Sequence, residues 1–284
     1  MRKKMRPLFV VCCLFLLAQF CNGQSATGNL DVTVHITPTG ARPEPVRQFT
    51  LYILTKSYAD IVKEVEAGDI LPTREAFIDN LKCTPQLKKW LKAHDELDLT
   101  MPDFDKLVTP VEIMEVPEFL AAYQRSNSGG VTNGMPIPKF RETDREANPE
   151  KYEKQREEYI KALKRFVEMH PATVSGMELE LAGVNPKMQW DKIHADHRKR
   201  IAQLAPDTAQ TKYLAAKADT DMDGRVTFSA LAPGTYWVSS LSMDAASGDR
   251  RLNWDVPAKV QAAQTTRVDL TNVNGIDAYG SQRQ

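Results

Sequence analysis

The chain has 284 residues, with 37 Lys and Arg against 37 Asp and Glu and a formal net charge of zero. Hydrophobic residues make up 42% and charged residues 26%, which is too apolar for wholesale disorder. A neutral total supplies no field for a nucleic-acid partner.

The first elements belong to a leader. Arg2, Lys3, Lys4 and Arg6 precede an apolar run over residues 8–20, broken only by Gln19, and small residues follow at Gly23 and Ser25. This is the three-part layout of a secretory signal peptide, with cleavage expected after Gly23 and, as the alternative, after Ser25. The run is shorter than the about 20 apolar residues a membrane span needs, and no later stretch reaches that length. The mature protein is therefore expected to be exported, periplasmic or extracellular, without a transmembrane segment. Removing residues 1–23 takes away four basic and no acidic residues, leaving a net charge of −4. Cys12, Cys13 and Cys21 leave with the leader, so Cys83 remains without an internal disulfide partner. It reads as a half-buried small apolar residue.

Strand patterns come next. Leu30, Val32, Val34 and Ile36 alternate with Asp31, Thr33, His35 and Thr37, the period-two signature of a strand. PTGARPEP turns the chain, and FTLYIL over residues 49–54 is rich in residues that suit strands.

The middle of the chain changes period. Residues 58–66, 74–81, 85–94, 116–124, 150–170 and 185–204 read as amphipathic helices. Tyr159, Leu163, Phe166 and Val167 form an apolar stripe. Asn148-Pro149 starts that helix and His170-Pro171 stops it. A Gly/Pro/Asn-rich loop covers residues 126–140. LKKWLxxH at 87–94 recurs as LKRFVxxH at 163–170, and ELDL and ELEL follow the two copies. This pattern is either a worn duplication or the shared alphabet of amphipathic helices.

From residue 212 the period returns to two. KYLAAKA, RVTFSAL and TYWVSSLSM are separated by DTDMDG and APG, whose Asp-Gly and Pro-Gly dipeptides mark turns. VPAKVQ and TTRVDLTN are expected to form a final strand pair around AAQ.

The string ADTDMDGRVTFSALAPGTYWVSSL resembles the carboxypeptidase regulatory-like domain, a transthyretin-like sandwich. Thr220, Asp223, Gly224, Phe228, Leu231, Pro233, Gly234 and Tyr236 carry the likeness. LDVTVHI and FTLYIL look like the first two strands of that family, and the last two strand patterns look like its closing pair. The whole chain is similar to exported bacterial proteins of that domain type. The family runs these strands together, whereas here residues 57–210 intervene. The resemblance implies no catalytic residues. The expected fold is α+β: an antiparallel β-sandwich from residues 24–56 and 211–276, a helical insert over 57–210, and a flexible tail over 277–284.

Four sets of side chains could carry chemistry. Asp219, Asp221 and Asp223, followed by Gly224, open like an EF-hand calcium loop, but Ala230 stands where the bidentate Glu belongs. A hairpin turn is therefore the expected reading, with a weak calcium site as the alternative and no other cofactor implied. Asp191, His194 and His197 are zinc-capable types on one helix, yet His197 falls in the stripe of Trp190, Ile193, Ile201 and Leu204. Lys192, Arg198, Lys199 and Arg200 make a basic run, most simply a solvated helix face. Tyr236, Trp237 and Trp254 are candidates for stacking on sugar rings, although Tyr236 and Trp237 point to opposite faces of a strand. No nucleophile elbow, zinc-protease motif, phosphate loop or dinucleotide fingerprint occurs. The expected function is that of an exported, non-enzymatic binding or scaffold protein whose partner is an envelope protein or polysaccharide. A glycan-binding module and an enzyme using residues of the insert are the alternatives.

Overall fold

The computed structural model describes residues 26–128 and 134–277. The expected leader, with its three cysteines, and the tail after Asp277 lie outside the described residues. The fold is mixed α+β. Its described residues divide into two compact units, one made of those up to Ile70 with those from Lys199 on, the other of those between Leu71 and Arg198.

The first unit contains the sheets. Strands β1 (Gly28–Ile36), β2 (Glu44–Pro45) and β3 (Thr50–Leu54) come from the N-terminal piece. Strands β4 (Leu214–Asp219), β5 (Arg225–Leu231), β6 (Gly234–Ser239), β7 (Ala245–Ser247), β8 (Arg250–Asn253), β9 (Asp255–Val260), β10 (Thr265–Leu270) and β11 (Ile276–Asp277) come from the C-terminal piece. One sheet places β10 on one side of β1 and β5 and β2 on the other; a second runs β4-β3-β6-β9; a small third runs β11-β8-β7. Among the described residues all strand pairings are antiparallel except β1 with β10, which is parallel.

The turn dipeptides do not close hairpins within one sheet. Asp223-Gly224 leads from β4 in the second sheet to β5 in the first, and Pro233-Gly234 leads back to β6. The expected final pair is corrected too: β9 joins β6, and β10 crosses over to lie beside β1. Turn chemistry reverses the chain locally. The choice of partner follows from each strand having to aim its apolar face at the shared core, so β4, β5 and β6, and later β9 and β10, alternate between the two larger sheets.

That core takes Leu30, Val32, Val34 and Ile36 from β1, Leu51 and Ile53 from β3, and Phe228, Tyr236, Val238, Trp254 and Leu270 from the later strands. β1 buries every second residue, as its sequence pattern implies. β3 buries Leu51, Tyr52, Ile53 and Leu54 in succession, because both of its faces are covered. Leu51 and Ile53 enter the shared core, while Tyr52 and Leu54 meet a second layer. That layer comprises helix α1 (Tyr58–Gly68), through Tyr58 and Ile61, and Ala205 and Ala209 from residues following Lys199. These two helical stretches, expected in the insert, thus belong to the sheet unit.

The second unit is helical: α2 (Arg74–Asp79), α3 (Pro85–Ala93), α4 (Phe104–Leu107), α5 (Pro110–Glu115), α6 (Pro117–Ser126), α7 (Asp144–Ala147), α8 (Pro149–Met169) and the first part of α9 (Lys187–Thr208). Its starts are written in the sequence. Thr73, Thr84, Thr109 and Asn148 each accept an N–H from three residues on, satisfying one of the free donors of a helix end. The core joins Trp90, Phe104 and Phe119, with Trp90 and Phe119 edge-to-face at 5.0 Å, to Leu87, Leu163, Val167 and Leu181.

The two copies of the sequence repeat share one local geometry. His94 and His170 each end a helix and lie against the aromatic ring four residues earlier, at 4.1 Å from Trp90 and 4.6 Å from Phe166. The likeness stops there. Leu97 and Leu99 are both buried, whereas ELEL lies in a 3-10 helix, Met177–Val184, that exposes Leu179 and buries Leu181.

Candidate functional site

The open face of β1, β5 and β10 holds a hollow of about 490 Å³. Its walls follow from strand alternation. Leu30, Val32 and Val34 turn into the core, so Asp31 and Thr33 turn out; Phe228 and Leu270 turn in, so Thr227, Arg225, Arg267 and Asp269 turn out. Register sets these six side chains in two rows across the strands. One row is Thr227, Asp31, Arg267; the other is Arg225, Thr33, Asp269. Thr227 donates its hydroxyl hydrogen bond to Asp31 at 2.8 Å.

The helical unit has a different polar centre. Glu112 Oε1 accepts from the Trp90 indole at 3.0 Å and lies 3.3 Å from His94 Nε2. Oε2 accepts from the Thr109 amide and hydroxyl, both at 2.8 Å. His94 Nδ1 lies 2.9 Å from the Trp90 carbonyl. Trp90, His94 and Glu112, with Lys89 and Glu115, line a hollow of about 190 Å³. Glu112 has four neighbours for the roughly four acceptor positions of a carboxylate. It therefore ties α3 to the start of α5 rather than offering an oxygen to a ligand. Arg74 is likewise engaged, donating to the carbonyls of Leu91 and His94 at the end of α3. Asp98 takes bonds from Thr100 and Asn185, and the Thr100 hydroxyl is the main cause of its carboxyl lying below the ordinary range.

Two further clusters lie in the sheet unit. Leu241 and Ser242 both have positive φ, 51° and 63°, which costs L-residues energy and calls for surrounding support. The support is local: the Leu241 amide donates to Ser239 Oγ, and the Trp254 amide donates to Ser240 Oγ. Burial holds the Tyr58 phenol above its usual range, partly offset by its bond with Ser242. Asp255 accepts from the Ala59 amide at 3.2 Å in the first turn of α1, where a negative charge is favoured. Its other oxygen, Oδ1, is buried without a partner. The second cluster centres on Glu64, which accepts from Lys56 Nζ at 2.5 Å and from the Tyr213 hydroxyl at 2.7 Å. The Lys56 ammonium, then the tyrosine, hold the Glu64 carboxyl down to about 2.

The residues singled out from sequence fall elsewhere. Asp221 accepts the amides of Asp223 and Arg225 at 2.9 and 2.8 Å, and Asp219 accepts from Thr50 at 2.6 Å. Both carboxylates are used in the turn and the adjacent strand. Asp191 pairs with Lys187. The His194 ring meets Trp190 at 4.4 Å, and its Nε2 is buried without a hydrogen bond. Among the described residues no three His, Cys, Asp or Glu side chains are grouped so that they could hold a metal ion. The aromatic candidates are not a surface row. Trp254 and Tyr236 lie in the shared core, with the indole donating to the Thr271 carbonyl and the phenol to Ala232. Trp237 packs on the opposite face, against the layer of α1. Within the basic run, Arg200 binds Asp69 at 2.7 Å. Among the described residues no helix is long and apolar enough to cross a membrane.

The outward set on β1 was visible in sequence as the polar half of its alternation, whereas β5 and β10 were read only as strands. That these three strands are neighbours was not visible, because β1 and β10 are far apart in the chain. Comparison with known proteins gives no family model, no curated protein and no solved structure that matches this chain.

Proposed function

We propose that this chain is an exported, non-catalytic binding protein in which a transthyretin-like β-sandwich, akin to the carboxypeptidase regulatory-like domain, carries a helical unit that engages an envelope partner. The observation that supports this reading is the pairing of β3 with β4. Thr50 faces Asp219, Leu51 faces Ala218, and the register continues to Leu54 and Leu214. The chain leaves the sheet at one strand and returns on its neighbour, so the helical unit is an insertion on a sheet that closes without it. Insertions of this kind collect at loops, where binding surfaces form on a rigid scaffold. The polar centres of the helical unit are spent on internal bonds, while Leu179 and Met188 are 75% and 80% exposed.

Export rests on the leader, and mass spectrometry of the mature protein from the extracytoplasmic fraction tests it: an N-terminus at Gln24 is expected. Photo-crosslinking side chains at positions 179 and 188, used in intact cells, test the partner. A discrete protein adduct is expected at these positions and not at position 259 on β9. Equal labelling at all three, or none, defeats the reading.

A further inference from the structure

We infer that the open face of β1, β5 and β10 is a second binding site, for an uncharged oligosaccharide, independent of the helical unit and its partner.

The argument begins with an unused pairing. In register, Arg267 lies directly beside Asp31, and opposite charges on neighbouring strands stabilise a sheet when they meet. Here Asp31 is instead bonded to Thr227 on its other side. Among the described residues, neither the Arg225 nor the Arg267 guanidinium forms an ion pair or hydrogen bond within the protein, and the Asp269 carboxylate has no side-chain partner. Two donor forks and an acceptor therefore stand over a hollow of about 490 Å³ without a partner among the described residues of the protein.

The chemistry of the two rows selects the ligand. Each row contains one Arg, one Asp and one Thr, so the hollow holds equal numbers of positive and negative groups. No net field favours an anionic or a cationic ligand. What the rows offer is a close mixture of donor-only guanidinium, acceptor-only carboxylate, and hydroxyl that does both. A sugar hydroxyl also donates and accepts at once, and a pair of vicinal hydroxyls fits the two-oxygen or two-nitrogen spacing of a carboxylate or guanidinium. Neighbouring strands are about 4.8 Å apart and successive outward residues about 6.8 Å apart, the scale of one pyranose ring. Binding here would rest on hydrogen bonds, since the aromatic side chains nearest in sequence to such a role, Tyr236 and Trp254, are in the core.

The test is calorimetric titration of the full mature chain with neutral hexasaccharides of gluco, manno, galacto and N-acetylglucosamine type, with polygalacturonate as the charged comparison. At least one neutral oligosaccharide is expected to bind, with affinity little changed between low and high salt. Arg267→Ala and Asp31→Asn should each weaken that binding tenfold or more. Both positions face solvent, and thermal melts check that the variants stay folded. No binding across the neutral panel, or binding unchanged in both variants, overturns the site. Binding confined to polygalacturonate and lost with salt overturns the ligand class. Cross-linking through positions 179 and 188 should be the same in Arg267→Ala as in the parent, so failure of this site and failure of the helical-unit reading are read separately.

Discussion

The backbones of Val34 and Gly224 are in direct contact. The Val34 amide donates to the Gly224 carbonyl at 2.8 Å, and a Cβ built on Gly224 would lie 2.5 Å from the Val34 carbonyl oxygen. Gly224 also has a φ of +73°, a conformation that glycine adopts freely and other residues do not. The turn after β4 is thereby pinned to β1 of the other sheet. Gly224→Ala should lower unfolding free energy by more than about 2 kcal/mol. Gly40 provides the comparison: its φ is also +73°, but nothing lies within 4 Å of its added Cβ. Gly40→Ala should cost only about 1 kcal/mol. Urea unfolding of the two variants measures the difference, and equal losses would show that the contact with β1 has no energetic weight.

The insertion can be cut where its ends meet. Arg200 binds Asp69 through two hydrogen bonds, at 2.7 and 3.2 Å, so a short Gly-Ser linker can join Ile70 to Lys199. Removing residues 71–198 should leave a cooperatively unfolding β-rich protein. Removing residues 57–210 should not, because Tyr58, Ile61, Ala205 and Ala209 go with it and the outer face of β3 is bared. Each large apolar side chain so uncovered forfeits about 1.5–3 kcal/mol. Circular dichroism melts of the two deletions provide the check.

Glu112 is expected to be structural. Glu112→Ala leaves the indole N–H of Trp90, itself 4% exposed, without its partner and removes the capping box at α5. The two losses together should cost about 3 kcal/mol. Glu115→Ala, at an exposed neighbouring position, should cost almost nothing. Denaturant curves followed by tryptophan fluorescence separate these outcomes.

The Glu64 cluster predicts an acid dependence. Its carboxyl is held down to about 2 against an ordinary value of 4.5. A depressed carboxylate stabilises the fold fully above its unfolded value, and that contribution fades as pH falls from about 4.5 towards 2. The melting difference between the parent and Glu64→Gln should be constant above pH 5 and shrink across that window. Because the group is exposed to solvent, added salt should reduce the difference as well.

Cys83 should behave as a quiet thiol. Burial first, and the nearby Glu118 carboxylate second, raise it above its usual range, so less of it is thiolate at neutral pH. Iodoacetamide should label it at least several-fold more slowly in the folded protein than in urea. Equal rates would contradict the burial argument.

The longer helices of the insert were legible: Asn148 caps where the sequence places it, and the stripe of Tyr159, Leu163 and Val167 faces the core. The short helices Phe104–Leu107, Pro110–Glu115 and Asp144–Ala147 were not, because four to six residues hold too little of a period to read. Capping and amphipathic period act over three or four residues, so both can be read locally. The alternation of β1 was legible for the same reason. The Asp219–Asp223 stretch was legible as a turn, yet its partner strand was not.

What the sequence determined by itself, then, was the kind of the longer elements and which half of β1 is polar. Tertiary structure alone decided that β9 and β10 part into different sheets, that β10 runs parallel beside β1, and that α1 covers β3. It also decided that Tyr236 and Trp254 are core while Asp31, Arg225 and Arg267 share one open face. Local propensity fixes the shape of a segment, but its neighbours are chosen by burying several apolar faces at once, a condition that no single segment contains.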